Sequence, residues 1–407
     1  MITKIKTTVK EVTDNFDNLR IPLSSKQREN LEKIYPYYGA QNIIDHVDDY
    51  IFDGEYILVA EDGENLKSQN NNVCNLVNGK FWVNNHAHII RGKNGNSSKY
   101  LFYYLNLLSF KPFVTGSAQP KLTKDNLGMI PVHIHDPSEQ KQIAKVLSDL
   151  DSKIEVNNKI NAELEALAKT MYDYWFVQFD FPNEEGKPYK ASGGKMVYDN
   201  DLKKEIPEGW EKKCLIDNLR IGKDQLTPND YPEKQFKHLS IPFFDSTGTY
   251  QVESGSDIGS NKFIVSEMDI AVSKLNPWFN RVFYSQGESD LICTTEMVVW
   301  QSNSLEMKNF FFQLATSDHF IAYCTQNATG TSNSHKRVNP TIMMQYKFAH
   351  SEKYIVKYGK LVNPMIKRVM KNKKENQQLA ALRDWLLPML MNGQVTVQDA
   401  VLEKENT

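Results

Sequence analysis

EQKQIAKVLSDLDSKIEVNNKINAELEALAKTMYDYWFV (139–177) decides the fold of this 407-residue chain. Ile143, Leu147, Leu150 and Ile154 follow one another at spacings of four, three and four, a helical seam near a 3.5-residue period. The rhythm resumes with Ile160, Leu164, Leu167 and Met171 after a polar gap at Asn157 and Asn161. Neither Gly nor Pro interrupts the stretch. At about 1.5 Å per residue it makes a helix on the order of 55 Å long. Such a helix cannot bury its seam alone.

The chain supplies a partner in 352–392, where Tyr358, Val362, Met365, Val369, Leu379, Leu382 and Leu386 recur at matching intervals. Leu164 aligns with Leu379 and Leu167 with Leu382, each 215 residues apart. At that offset Asn157 meets Asn372 and Asn161 meets Asn376. Both seams are therefore broken by Asn near their middle. If the helices run antiparallel, Asn157 faces Asn376 and Asn161 faces Asn372, a register that a buried amide rewards by finding its mate. The same residues could instead face solvent. Pro364 is expected to kink or restart the second helix.

Outward from the helices lie two segments of similar build. In the first, EYILVAEDG (55–63), KFWVNNHAHII (80–90) and MIPVHIHD (129–136) have strand composition, and YLFYYLNLL (100–108) has a helical one. In the second, MDIAVSKLN (268–276), RVFYSQ (281–286) and LICTTEMVVW (291–300) are expected strands and NFFFQLATSDHF (309–320) an expected helix. Leu101 and Leu105 align with Phe310 and Leu314, 209 apart, and Thr115-Gly116-Ser117 with Thr329-Gly330-Thr331, 214 apart. The order is globular domain, helix, globular domain, helix: a diverged duplication rather than a short-period solenoid. The expected class is α+β, with two mixed α/β domains separated by two long coiled-coil helices, which make a pseudo-two-fold arrangement if they pack antiparallel. The boundaries are 1–138 for the first domain, 139–180 for its helix and 181–206 for a Gly-, Pro- and Lys-rich connector. The second domain takes 207–351, its helix 352–392, and 393–407 is a tail. Domains at opposite ends of such a pair suit a two-fold ligand, for which duplex DNA is the obvious candidate.

Composition narrows the class. Charged residues make up 24% with a net charge of −2, so no global basic field announces a nucleic acid. The scattered cysteines Cys74, Cys214, Cys293 and Cys324 form no CxxC pair, which argues against zinc and disulfides and for a reducing compartment. No run of 18 apolar residues and no signal-peptide pattern occurs, so a soluble, cytoplasmic protein is expected.

Four stretches, PYYGAQNIIDHVDDYIFDGEYILVAEDG (36–63), KFWVNNHAHII (80–90), DPSEQKQIAKVLSDLDSKI (136–154) and YDYWFVQFDFPNEEGKPYKASGGKMVYDNDLKKEIPEGWE (172–211), resemble the specificity subunit of Type I restriction-modification enzymes. The resemblance covers essentially the whole chain. It implies two target-recognition domains on antiparallel helical spacers, reading a bipartite asymmetric DNA sequence. It also implies no catalytic residues and assembly with two methyltransferase (M) and two restriction (R) subunits. S-adenosylmethionine, ATP and Mg would then belong to those partners, none being a cofactor of this chain. One departure stands out: an IPEGW lead-in precedes the second domain (206–210), whereas the first begins MITKIKTTVKEVTDN and lacks it.

Motifs of other classes fail. Asn276-Pro277-Trp278-Phe279 is one residue from the Asn-Pro-Pro-aromatic motif of adenine methyltransferases, but no Gly-rich strand-to-helix turn precedes it. A turn between strands is the better account, with Arg281 near a groove as the functional one. No GxxxxGK[ST] loop exists. His86 and His88, alternate residues of one expected strand, would share a face but lack a third metal ligand, so a structural role is favoured over zinc.

Candidate DNA contacts come from loops rich in Lys, Arg, Ser, Asn and Gln. TGSAQPKLTK (115–124) offers Ser117, Gln119, Lys121 and Lys124; KLNPWFNR (274–281) offers Lys274, Asn276 and Arg281. ATGTSNSHKR (328–337) offers Ser332, Asn333, His335, Lys336 and Arg337, and Arg91 with Lys93 form a weaker fourth group. A solvated loop is the plain alternative for any one of them. Lys367, Arg368, Lys371, Lys373 and Lys374 are better explained as a solvated helix face than as a DNA spacer lining. Tyr174, Trp175, Phe176, Trp385 and Leu386, near the helix ends, are either mutual core or docking sites for the methyltransferase subunits, and docking is expected for some of them. Two other classes stay open: a scaffold that exchanges recognition domains or titrates partners without productive DNA binding, and an RNA-binding protein on a coiled-coil spacer.

Overall fold

The computed structural model describes residues 4–67, 72–116, 119–330 and 335–397. The chain divides into two units, the described residues of Met1–Asn157 with Lys374–Thr407, and Asn158–Lys373. The division runs through both long helices, Pro137–Tyr172 (the central helix) and Glu352–Asn392 (the C-terminal helix). Asp136 starts the central helix. Its carboxylate accepts the Ser138 and Glu139 amides at 2.8 and 3.1 Å, and Pro137 fills a position that needs no N–H donor.

In the first unit, Ile5–Thr8 pairs antiparallel with Pro131–Ile134. An antiparallel sheet then runs Thr13–Asn15, Ala87–Gly92, Tyr56–Ala60, Cys74–Val77, and a mixed sheet runs Ile43–Val47, Tyr35–Tyr38, Lys80–Val83, Phe52–Asp53. The only parallel pairing here joins Tyr35–Tyr38 to Lys80–Val83 among the described residues. The second unit repeats the plan. Glu211–Cys214 pairs with Lys347–His350, and Arg220–Gly222, Met297–Gln301, Asp269–Ser273, Val282–Tyr284 make the antiparallel sheet. A mixed sheet again holds one parallel pair, Gln235–Leu239 with Leu291–Cys293. The duplication is thus written in strand order. It also places the N-terminal segment: without an IPEGW lead-in, Ile5–Thr8 still forms the closing strand that Glu211–Cys214 forms in the second unit.

Three expected elements divide. KFWVNNHAHII becomes Lys80–Val83 and Ala87–Gly92 in different sheets, because Asn84 turns the chain by accepting the His86 amide at 2.8 Å. LICTTEMVVW likewise separates into Leu291–Cys293 and Met297–Gln301. The expected helix 309–320 is two, Leu305–Ala315 and Asp318–Gln326, since the Ser317 hydroxyl caps a fresh start. The C-terminal helix, by contrast, does not restart at Pro364. That ring lies on an exposed face, where the carbonyl it leaves unpaired meets water.

Each unit wraps its core around its own portion of both helices. In the first, Ile143, Leu147 and Leu150 are buried with Leu386, Leu390 and Met391 and with the helix Ser98–Leu107. There Asn157 Nδ2 donates to Asn376 Oδ1 at 2.9 Å, and Arg383 reaches Asp151 at 2.7 Å. In the second, Ala168 and Tyr172 pack with Ile355, Tyr358, Val362 and Ile366. Asn372 Nδ2 donates to Asn161 Oδ1 at 2.8 Å, and Tyr358 donates its hydroxyl to the Ala168 carbonyl at 2.9 Å. Rising numbers on one helix meet falling numbers on the other, so the pairing within each unit is antiparallel. Because Asn161 occupies the contact line, that line runs on through Ala168 and Tyr172. Leu167, expected in the seam, is left 46% exposed.

Asn372→Leu alone leaves the Asn161 amide buried opposite an apolar side chain, at a cost of about 1–3 kcal/mol. The double variant Asn161→Leu/Asn372→Leu is expected to regain most of that loss. Urea midpoints for the four members of the cycle measure it; additive losses would refute the pairing as a source of stability.

Candidate nucleic-acid interface

The two domains tie their loops with the same backbone knot. In the first unit the Glu61 amide donates to the His86 carbonyl (2.9 Å), Leu122 to Glu61 (2.8 Å) and Gly63 to Pro120 (3.4 Å). In the second, Lys274 donates to Glu296 (2.9 Å), Val338 to Lys274 (3.0 Å) and Asn276 to Lys336 (2.7 Å). Each knot closes the base of a hairpin loop. Thr115 bridges Lys121, and Thr329 bridges Arg337. Glycine is required beside each bridge. A Cβ on Gly116 would stand 2.3 Å from the Gln119 carbonyl oxygen, and one on Gly330 2.5 Å from that of His335. This explains why Thr-Gly heads both loops.

The side chains on the knots differ, and so do their charges. Glu61, His86 and Lys121 of the first unit stand where Lys274, Glu296 and Arg337 stand in the second. Lys121 Nζ lies 3.2 Å from Glu61, whereas Arg337 clasps Glu296 with two nitrogens at 2.9 and 3.0 Å. The Glu296 carboxylate holds the Arg337 pKa above its ordinary value.

Beneath the first loop lies a polar network that residue spacing did not reveal. His88 Nδ1 lies 2.6 Å from Asp17 Oδ2, and its Nε2 lies 2.8 Å from the Leu122 carbonyl oxygen. Arg20 donates to Glu61 at 2.7 Å, and the Ile89 amide to Asp17 at 2.9 Å. Burial raises the Asp17 carboxyl, but hydrogen bonds from His88 and Ile89 outweigh it and leave the group below its ordinary value. Glu61 is likewise lowered, burial being overcome by Arg20, His88 and Lys121. The expectation that His86 and His88 share a strand face fails. His86 sits in the turn, half-exposed and 2.7 Å from Asp62, whereas His88 is buried. Among the described residues no three His, Cys, Asp or Glu side chains gather to hold a metal ion.

The candidate residues sort by this geometry. Gln119, Lys121 and Lys124 are exposed on or just after the first loop; His335, Lys336 and Arg337 stand on the second, with Lys274 beside it. Ser117, Ser332 and Asn333 lie outside the described residues. Arg91 is exposed over the Tyr56 ring (5.5 Å), and Lys93 lies 3.8 Å from Asp14. Asn276 and Arg281 are not surface readers but buried struts, 7% and 8% exposed. The Asn276 carbonyl Oδ1 accepts the Lys336 amide (2.9 Å). Arg281 is fixed by two bonds to Asp245 (2.5 and 2.7 Å) and one to the Leu275 carbonyl (3.2 Å).

The proposed docking aromatics also divide. After Tyr172 the helix widens into a π turn, Asp173–Val177, which swings Trp175 and Phe176 inward against Trp210, Phe310 and Tyr358. Those two are core, as is Leu386, which is fully buried; Tyr174 and Trp385 remain 47% and 43% exposed. The lysines and arginine of 367–374 are exposed, and Lys373 pairs with Glu165 at 2.9 Å. Among the described residues no helix is long and apolar enough to cross a membrane.

Residues 5–166 match the family model described as Type I restriction modification DNA specificity domain. The chain is 27% identical over 324 residues to the Type I restriction enzyme MjaIX specificity subunit of Methanocaldococcus jannaschii, covering 75% of this chain and 71% of that one. A putative Type I restriction enzyme specificity subunit of Haemophilus influenzae is 41% identical over 140 residues, 34% of this chain and 35% of its own. The crystal structure of the Type I restriction-modification S subunit from M. genitalium superposes with a TM-score of 0.61 at 14% identity, covering 96% of each chain, which bears on the fold alone.

The lowered carboxyls beneath the first loop give a test. Folded values below the ordinary ones mean that Asp17 and Glu61 stabilise fully above about pH 4 and that this is lost as pH falls further, through the folded values. Asp17→Asn is expected to cost about 1–2 kcal/mol at pH 7 and to lose less relative to wild type in acid. A wild-type-to-variant gap in urea midpoint that stays constant from about pH 7 to 3 would contradict it.

Proposed function

We propose that this chain is a specificity subunit of the Type I restriction-modification kind, supported by the DNA specificity domain that residues 5–166 match and by the relatives above, and that it recognises a bipartite, asymmetric DNA target. Each domain reads one half-site, and the paired helices set the interval between them. Partner subunits carry the chemistry: two M subunits methylate adenine and two R subunits cleave, with S-adenosylmethionine, ATP and Mg bound by them and none by this chain. It acts in the cytoplasm as a non-catalytic subunit, and Tyr174 and Trp385 contribute to docking.

The observation that carries this reading is the repeated knot. One backbone device, present in both units, lifts two hairpin loops with unlike side chains. A pair of readers that differ only in their loops is what an asymmetric two-part target requires. Gln119, Lys121 and Lys124 are the proposed contacts of the first domain, with Arg91 and Lys93 beside them. Lys274, His335, Lys336 and Arg337 are those of the second. Cations meet phosphates, and Gln119 and Arg337 have the bidentate geometry that base edges demand.

The decisive experiment is single-molecule methylome sequencing of a host carrying this chain with its cognate methyltransferase subunit. A bipartite adenine-methylated motif that disappears on deletion of the chain is expected. Lengthening both helices by four residues at their midpoints should widen the unread gap and leave both half-sites unchanged. A stable complex that methylates no motif would favour a scaffold, and an unchanged gap would remove the helices as the ruler.

A further inference from the structure

Trp278 and Phe279 occupy the apex of the turn Pro277–Phe279, 37% and 58% exposed, with ring centroids 6.0 Å apart. A turn whose only task is to reverse the chain favours small polar residues. Here two large aromatic rings are held out, and the mount is stiff. Asn276 and Asn280, on either side, both adopt left-handed backbone (φ 46° and 49°), a conformation that costs non-glycine residues energy unless their surroundings enforce it. The surroundings do so. Asn276 exchanges two hydrogen bonds with Lys336, through its backbone N–H (2.7 Å) and its side-chain oxygen (2.9 Å). Arg281, clamped by Asp245, holds its guanidinium 4.5 Å from the centre of the Phe279 ring.

Among its described residues the first unit has nothing comparable. At the equivalent point of its knot Gly63 leads into Glu64–Leu66, and Asn65 and Leu66 turn inward, each 2% exposed. The aromatic pair is therefore a property of one reader only. Its neighbours are cationic: Lys274 precedes the turn, Lys336 is bonded to it, and Arg337 bridges Leu275 at its base. An apolar projection with Lys274 and Lys336 beside it, and Arg337 paired to Glu296 at its base, matches duplex DNA, whose phosphates meet the cations while its base faces and thymine methyls meet the rings.

We infer that Trp278 and Phe279 are specificity-determining residues of the second domain that make apolar contact with the bases of its half-site. This rests on the DNA-recognition reading above. It adds that the second half-site is read by aromatic contact as well as by hydrogen bonds and charge, and that the first is not.

The test uses the full chain co-purified with its methyltransferase subunit and a synthetic duplex bearing the motif found by methylome sequencing. Trp278→Ala/Phe279→Ala should bind that duplex roughly ten-fold more weakly, the size of a lost base–aromatic contact. The slope of log affinity against log salt should stay unchanged, since no phosphate contact is removed. In cells the second half-site of the methylated motif should relax or vanish while the first persists, and Trp278→Phe should retain most of the activity. Lys336→Ala is the contrast, lowering the salt slope by about one contact. Unchanged affinity and motif in the double variant would overturn the inference. So would a salt slope that falls with the aromatic pair, or intact DNA binding with lost methyltransferase association, which would make the turn a protein-docking site. Failure of the parent reading has its own signature, because the wild-type chain would then yield no motif at all.

Discussion

A long amphipathic helix in water must cover its apolar seam, and in this chain each half of that task falls to a different unit. Burying a leucine such as Leu147 or Leu386, both fully covered within the first unit, stabilises by roughly 1.5–3 kcal/mol. Seams of this kind are tolerant of sliding, since one leucine packs nearly as well as the next. The asparagines are not. Asn157 with Asn376, and Asn161 with Asn372, make their amide–amide bond only in one register, and a slip would set buried amides against apolar neighbours. Apolar area thus supplies the stability of the pairing, while four amides supply its alignment. Everything the domains present depends on that alignment, because strands and loops are packed directly on the helices in both cores.

The loops show a second division of labour. Backbone hydrogen bonds among three separated segments build each knot, so the scaffold depends little on what the loop side chains are. Two glycines at tight approaches are the exception. Consequently Lys121 against Glu61 and Arg337 against Glu296 can occupy equivalent bridges with the acid moved from one segment to another. A fold arranged this way can vary its reading surface without repacking its core. That is the property a pair of unlike readers needs.

How much of this the sequence disclosed follows from the range of the interactions. Helical seams are local periodicities, so spacing within 139–177 and 352–392 was enough to align the two seams and to say which Asn would face which if the helices ran antiparallel. The positions of Thr115-Gly116 and Thr329-Gly330 disclosed the duplication. By contrast, KFWVNNHAHII has strand composition throughout, and only the tertiary destination of its two halves separates them. The Asp17–His88–Glu61 network joins residues 27 to 71 positions apart, for which no motif exists. Trp175 and Phe176 looked like exposed helix-end aromatics because a regular helix was extrapolated through 173–177. One π turn changed which way they face. The knot itself is carried by backbone atoms, and amide and carbonyl partners leave no mark on residue identity.

The charges around the loops are compatible with the proposed reading of DNA by a chain of net charge −2. Lys93, Lys121 and Arg337 each sit against a carboxylate of their own domain. Exposed pairs of this type are worth only about 0–1 kcal/mol each, so a phosphate can displace the acid at small cost. The displacement still subtracts from every non-specific contact. A uniformly basic surface would bind any duplex through counterion release, and discrimination would have to be won back from a high background. Pre-paired cations lower that background and leave the balance to base contacts. Arg281 marks the limit of the argument: buried and held by both oxygens of Asp245, it cannot exchange partners and so belongs to the scaffold. The distinction between cations that can trade a carboxylate for a phosphate and those that cannot is set by burial. That is why residue type alone placed Arg281 among the readers and the structure places it beneath them.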